Sequence, residues 1–140
     1  MKFPDFLNVF GDTTYRGDCS LEGAEQATFF QQLRKAYPDT YGLLAIHPKN
    51  EGKRRGAQFQ QLQRDKAMGL SPGAADIVIP GFPTFIMEVK RRDHTKSSWQ
   101  DGQLPYLKAA QDAGCFVGVA LGWEAAWEAF REWLSAQAHK

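Results

Sequence analysis

A chain of 140 residues, 43% of them hydrophobic and 24% charged, is long enough for one globular domain with a sizeable core and excludes a disordered or fibrous class. The net charge of +1 excludes a polycation, so nucleic-acid binding would have to come from local basic patches. No apolar run approaches the roughly 18–20 residues of a membrane span, and the start, MKFPDFLNVFGD, lacks the apolar segment of a secretory signal; Cys19 and Cys115, without metal-type spacing, read as reduced thiols of a cytoplasmic protein.

Residues 1–19, with Phe3, Phe6, Phe10 and Tyr15 among Gly, Pro and Asp, read as an irregular arm; residues 20–140 read as a single domain. Ser20 is a good N-cap for a helix over 21–37, with Leu21, Ala24, Ala27, Phe30, Leu33 and Tyr37 as its buried stripe. Glu22 and Gln26, four apart, project together, and Glu25 turns about 60° away from Glu22. Pro38 ends this helix. Residues 42–47 (GLLAIH) read as a strand, followed by the basic stretch 47–56 and a helix over 57–68 closed by Gly69. Lys49, Lys53, Arg54, Arg55, Arg64 and Lys66 face only Glu51 and Asp65 there, which suits either a solvated surface or a phosphate-contacting patch.

The stretch 74–90, AADIVIPGFPTFIMEVK, pairs two apolar runs (75–79 and 85–89) across a Pro/Gly loop, the pattern of a β-hairpin. Glu88 and Lys90 share one strand face while Met87 and Val89 take the other, and Asp76 can lie beside them. Two carboxylates on a mostly buried sheet require compensation, and oxygen ligands of this kind suit Mg²⁺ or Mn²⁺. Arg91, Arg92 and Lys96 follow. Ser97 or Ser98 can cap a helix to Ala113 that holds Gln103, with Pro105 indicating a kink or a later start. Residues 115–121 read as a buried strand. A last helix over 123–136 presents Trp123, Ala126, Trp127, Phe130 and Leu134, a stripe suited to core or dimer packing. The order is α-β-α-β-β-α-β-α, an α/β sandwich with helices covering a small mixed sheet.

Asp76 with Glu88-Val89-Lys90 resembles the D…ExK core of the PD-(D/E)XK nuclease superfamily, with its restriction-endonuclease-like fold. The wider pattern resembles a stand-alone VRR-NUC domain. Its elements are Glu22-Gly-Ala-Glu-Gln26 with Phe29, Phe30 and Leu33, then His47-Pro-Lys-Asn50-Glu-Gly-Lys-Arg54. Gly73-Ala-Ala-Asp76, Phe85-Ile-Met-Glu88-Val-Lys90, Gln103 and the segment from Val117 to Glu124 follow in order. The match spans roughly residues 20–134. Ala75 departs from it, standing where the family has Pro before the Asp. The resemblance implies that Asp76, Glu88 and the Val89 carbonyl bind Mg²⁺ or Mn²⁺, with Glu22 (or Glu25 as the competing assignment) completing the shell. It implies that Lys90 positions or deprotonates the attacking water and that Gln103 orients water or substrate. Asn50, Lys53, Arg54, Arg55, Arg91, Arg92 and Gln26 would contact DNA, with His94 a loop residue. The implied activity is metal-dependent DNA endonuclease action on branched substrates such as four-way junctions, as a homodimer of phage or bacterial type. The alternatives are a general or restriction-type endonuclease and a non-catalytic nucleic-acid-binding module.

Overall fold

A computed structural model describes residues 1–48 and 57–137. The elements run β1 (Asn8–Phe10), α1 (Glu22–Ala36), α2 (Tyr41–Leu44), α3 (Ala57–Ala67), β2 (Ile77–Ile79) and β3 (Phe85–Lys90). A 3-10 turn (His94–Lys96), α4 (Gln103–Asp112), β4 (Phe116–Leu121) and α5 (Trp123–Gln137) complete the order. The described strands form one sheet in the order β1-β4-β3-β2. β2 and β3 form the expected antiparallel pair, with Ile77 opposite Met87. β3 and β4 run parallel, Glu88 opposite Val119, connected through α4 as a parallel pair requires.

Alternation along β3 sorts its side chains onto two layers. Phe85, Met87 and Val89 face a core shared with Phe29, Phe30 and Leu33 of α1 and Ala126, Ala129, Phe130 and Trp133 of α5. Ile86 faces a second core with Leu7, Ala75, Leu107 of α4, Val117 and Val119. Glu88 and Lys90 have the parity of Ile86 and therefore lie on the α4 side.

Four local readings change. Residues 42–47 do not form a strand: the chain makes the short helix α2, and only Ile46 bridges to Val78 of β2. Tyr41 packs edge-on against Phe130 and Trp133, so tertiary contact outweighs the strand propensity of this run. The amino-terminal arm contributes β1, parallel to β4 with Asn8 opposite Gly118. Gly118 makes room for it, since a Cβ there would lie 2.7 Å from the Phe10 ring. The cap of α1 is Leu21, and Ser20 is not used as an N-cap. Finally, the buried stripes are rotated. α1 buries Glu25, Phe29, Phe30 and Leu33, while Leu21, Ala24 and Ala27 are exposed. α5 buries Ala125, Ala126, Ala129, Phe130 and Trp133, with Trp123, Trp127 and Leu134 half-buried at the edge.

Between β3 and β4 the helix starts late, at Gln103, after the left-handed Gly102. Pro105 therefore sits in the first turn, where its missing N–H costs nothing. Gly73 and Gly102, both with positive φ, are packed so closely that a Cβ on Gly73 would lie 2.2 Å from the Gly102 carbonyl carbon. This contact pins the start of α4 to the start of β2, and so brings Gln103 towards Asp76.

Candidate active site

The site grows from the carboxyl end of β3. Glu88 and Lys90 are each 1% exposed, on a face that an ordinary strand would fill with apolar side chains. Gln103 of α4 joins them through both ends of its amide. Its Nε2 donates to Glu88 Oε1 at 3.1 Å, and its Oε1 accepts from Lys90 Nζ at 3.0 Å and from the Gln100 backbone N–H at 2.8 Å. The Gln100 bond settles which end of the amide faces Lys90, because a backbone N–H can only donate. Lys90 Nζ also donates to the Ser98 carbonyl at 2.9 Å, and it lies 5.2 Å from the centre of the Trp99 ring.

Asp76 approaches from the start of β2. Its Oδ2 accepts the Val89 N–H at 2.8 Å. The Lys90 carbonyl accepts the Gly122 N–H on the β4 side. Because peptide groups alternate sides along a strand, the N–H and carbonyl of Val89 both face the β2 side, beside Asp76. Glu22, the first residue of α1, reaches in from the other layer: Oε1 lies 3.8 Å from Lys90 Nζ, and Oε2 accepts the Ser97 hydroxyl at 2.7 Å. Ser97 is held in turn, its Oγ accepting the Arg91 N–H at 3.1 Å.

Two described carboxylates, Glu25 and Glu88, each carry a buried oxygen without a hydrogen-bond partner, and it is Glu88 that shares its surroundings with Asp76 and Lys90. Burial, then the neighbouring Asp76, push the Glu88 carboxyl well above the usual range, while Lys90 pulls the other way. Glu88 Oε2 is buried with no hydrogen-bond partner. A buried orphan oxygen beside a second carboxylate, with a main-chain carbonyl facing the same side, fits an oxygen-seeking dication. Among the described residues no three His, Cys, Asp or Glu side chains converge as a metal-binding group. Glu22 is turned to Lys90 and Ser97, so a cation here would rest on Asp76, Glu88 and the Val89 carbonyl, with water filling the remaining positions. Mg²⁺ is commonly held by one or two carboxylates and several waters, so the donor set fits.

Glu22 and Glu25 are separated by the fold. Glu25, turned about 60° from Glu22, is buried against Gly122 and the start of α5; burial raises its carboxyl, and the Trp123 N–H partly offsets this. Of the expected DNA contacts, Asn50, Lys53, Arg54 and Arg55 lie outside the described residues. Arg91 is tied to the protein instead: Nε donates to the Ser20 carbonyl at 3.1 Å and an Nη to that of Cys19 at 2.8 Å, clamping the approach to α1. Arg92 lies 4.9 Å over the Tyr15 ring and lines a cavity with Asp12, Glu124 and Glu128, an acidic setting that disfavours phosphate. Gln26 is half-buried one turn beyond Glu22. His94 is buried, with Nε2 donating to the Thr13 carbonyl at 3.1 Å. Ser97, Ser98, Trp99 and Gln100, which residue type and spacing do not mark as site residues, form a loop against Lys90 and Gln103 rather than the expected helix start. The only signal was their position a few residues after the E-x-K strand.

These features define a class: a mixed sheet with helices on both faces and an acidic site on its β2–β3 hairpin is a restriction-endonuclease-like α/β fold. Within that class the chain is similar to a solved VRR_NUC domain protein. The TM-score is 0.66 at 15% identity, covering 86% of this chain and 92% of that one. No family model matches the sequence, and no curated protein matches it.

Proposed function

We propose that this protein is a metal-dependent DNA endonuclease that hydrolyses phosphodiester bonds, acting on branched DNA as a homodimer. The observation that carries the reading is the orphaned Glu88 Oε2 beside Asp76, with a buried lysine fixed on the same face. A surface Glu–Lys pair or a simple binding module has no use for a buried, under-compensated carboxylate. The similarity in fold to a VRR_NUC domain protein supports the same chemistry.

Asp76, Glu88 and the Val89 carbonyl would hold Mg²⁺ or Mn²⁺, which supplies Lewis-acid charge stabilisation and lowers the pKa of the attacking water. Two N–H groups of Lys90 are committed to Ser98 and Gln103. Its third can donate to a phosphoryl oxygen as negative charge develops there. Gln103 holds Glu88 and Lys90 at fixed separation through one amide. Glu22, steadied by Ser97, sits where it can accept a proton from water near Lys90. A two-fold dimer would present two such sites to opposed strands of a junction.

The test is cleavage of labelled four-way junction, flap, duplex and single-stranded DNA with Mg²⁺, Mn²⁺ or EDTA, beside Asp76→Asn and Lys90→Ala. Paired symmetric nicks on the junction, lost in EDTA and in both variants, are expected. Lys90→Ala should keep DNA binding; wild-type cleavage by that variant removes Lys90 from the mechanism. Metal-dependent cutting of every substrate would discard the junction preference, and binding without cutting would discard the enzyme.

A further inference from the structure

One side of α1, at the border between its buried and exposed faces, leads away from the site. Gln26, Phe30 and Arg34, at four-residue spacing from Glu22, lie along one side of the helix. They line a cleft of about 360 Å³ whose other wall includes His47. The small, exposed Ala27 keeps its floor low. The cleft is physically joined to the site: His47 Nδ1 donates to the Asp76 carbonyl at 2.8 Å, which ties the imidazole wall to the backbone of the candidate metal ligand. That bond commits Nδ1, and Nε2 has no partner among the described residues. Arg34 is exposed, lies 5.3 Å over the Phe30 ring, and makes no ion pair with a described residue. Stacking orients the guanidinium while leaving its donor edges to a ligand.

We propose that this cleft is the track for the substrate strand flanking the scissile phosphate, with Arg34 neutralising a phosphate at its far end. The inference rests on the nuclease reading above and assigns it a direction: the strand runs from Glu22 along α1. Twelve residues of helix span about 18 Å. One duplex strand offers a phosphate about every 3.4 Å of axis. Arg34 therefore meets a phosphate about five positions from the cut when α1 lies along the duplex.

The test is the full chain carrying Arg34→Gln, with Ala27→Glu as a second variant that narrows the cleft and reverses its charge. Both positions are exposed on a helix, so both variants should fold and melt as the wild type does. DNA binding is measured in EDTA by fluorescence anisotropy across salt concentrations. Arg34→Gln should weaken binding several-fold and reduce the slope of log K against log salt by about 0.9, one phosphate contact. Ala27→Glu should weaken it at least as much. With Mn²⁺ the loss should appear in KM more than in kcat, while Mn²⁺ binding, read as a thermal shift without DNA, stays at the wild-type value. A single methylphosphonate near the fifth phosphate from the cut should weaken wild-type binding and leave Arg34→Gln unaffected. Wild-type slope and KM in Arg34→Gln, with Asp76→Asn still inactive, would overturn the cleft and keep the nuclease. A wild-type protein that neither binds nor cuts DNA would overturn both.

Discussion

Glu88 concentrates the conflict between folding and function in one side chain. It is 1% exposed and has one oxygen without a partner. Glu88→Gln keeps an acceptor for Gln103 and places an amide donor beside Asp76. The metal-free variant should therefore be more stable than the wild type by roughly 1–3 kcal/mol, yet lose both cleavage and the stabilisation by Mn²⁺. Thermal melts with and without Mn²⁺ check this; a variant that Mn²⁺ still stabilises would remove Glu88 from the metal site. Asp93 is a structural carboxylate of opposite behaviour. It accepts from the Thr95 hydroxyl and from the N–H groups of Thr95 and Gly17, and these bonds lower its pKa to about 2. Because the folded value is depressed, its contribution is present above the ordinary aspartate pKa and is lost as pH falls towards 2. Asp93→Asn should melt lower than wild type at pH 7, and the gap should close in acid. Equal melting temperatures across pH 7 to 2 would show that these bonds contribute nothing. Asp76, Glu88 and Lys90 could be picked out in the sequence from residue type and spacing, and Gln103 only through the family resemblance. Ser97 and Trp99 could not, because only folding brings a loop over Lys90.

At the scale of elements, α5 shows why a pattern of apolar residues is legible while its exact face is not. Trp123, Trp127 and Leu134 mark an amphipathic helix, but Trp133 is the side chain at its centre, fully buried, with Nε1 donating to the Pro83 carbonyl at 2.8 Å. A helix rotated by one position satisfies the same sequence, and the facing Phe85 and Tyr41 choose between them. Trp133→Ala should cost about 3–5 kcal/mol in urea unfolding, far more than truncation of half-buried Trp127. Equal costs would return the stripe to its sequence-expected position. The same rotation in α1 exposes Ala24 and Ala27 and opens the cleft beside Gln26. The expected strand at 42–47 failed for a related reason: Leu43 and Ile46 remain exposed, while Ala45 and the neighbouring Tyr41 supply the contact with the core.

Across the whole molecule, the site depends on a backbone contact between segments about thirty residues apart in the numbering, Gly73 and Gly102. Gly73→Ala meets both a positive φ and the Gly102 backbone. It should lower the unfolding free energy by more than about 1 kcal/mol and slow cleavage, since α4 carries Gln103 and β2 follows Asp76. Wild-type stability and turnover in that variant would show that the two segments can separate without cost. No helix among the described residues is long and apolar enough to cross a membrane, and the large exposed apolar side chains among the described residues, Leu21, Leu43, Leu44, Ile46, Met68 and Phe82, lie outside the arm and the tryptophan helix. The sequence by itself determined the hairpin, the alternation that puts Glu88 and Lys90 on one face, the α/β class and the chemical types at the site. These follow from local periodicity and from residues that are costly to bury. Only the tertiary structure decided that the amino-terminal arm supplies a sheet strand, that Glu22 rather than Glu25 faces Lys90, and that Arg91 holds the chain rather than facing solvent. Each of those depends on which distant surface a residue meets, and spacing along the chain does not encode that.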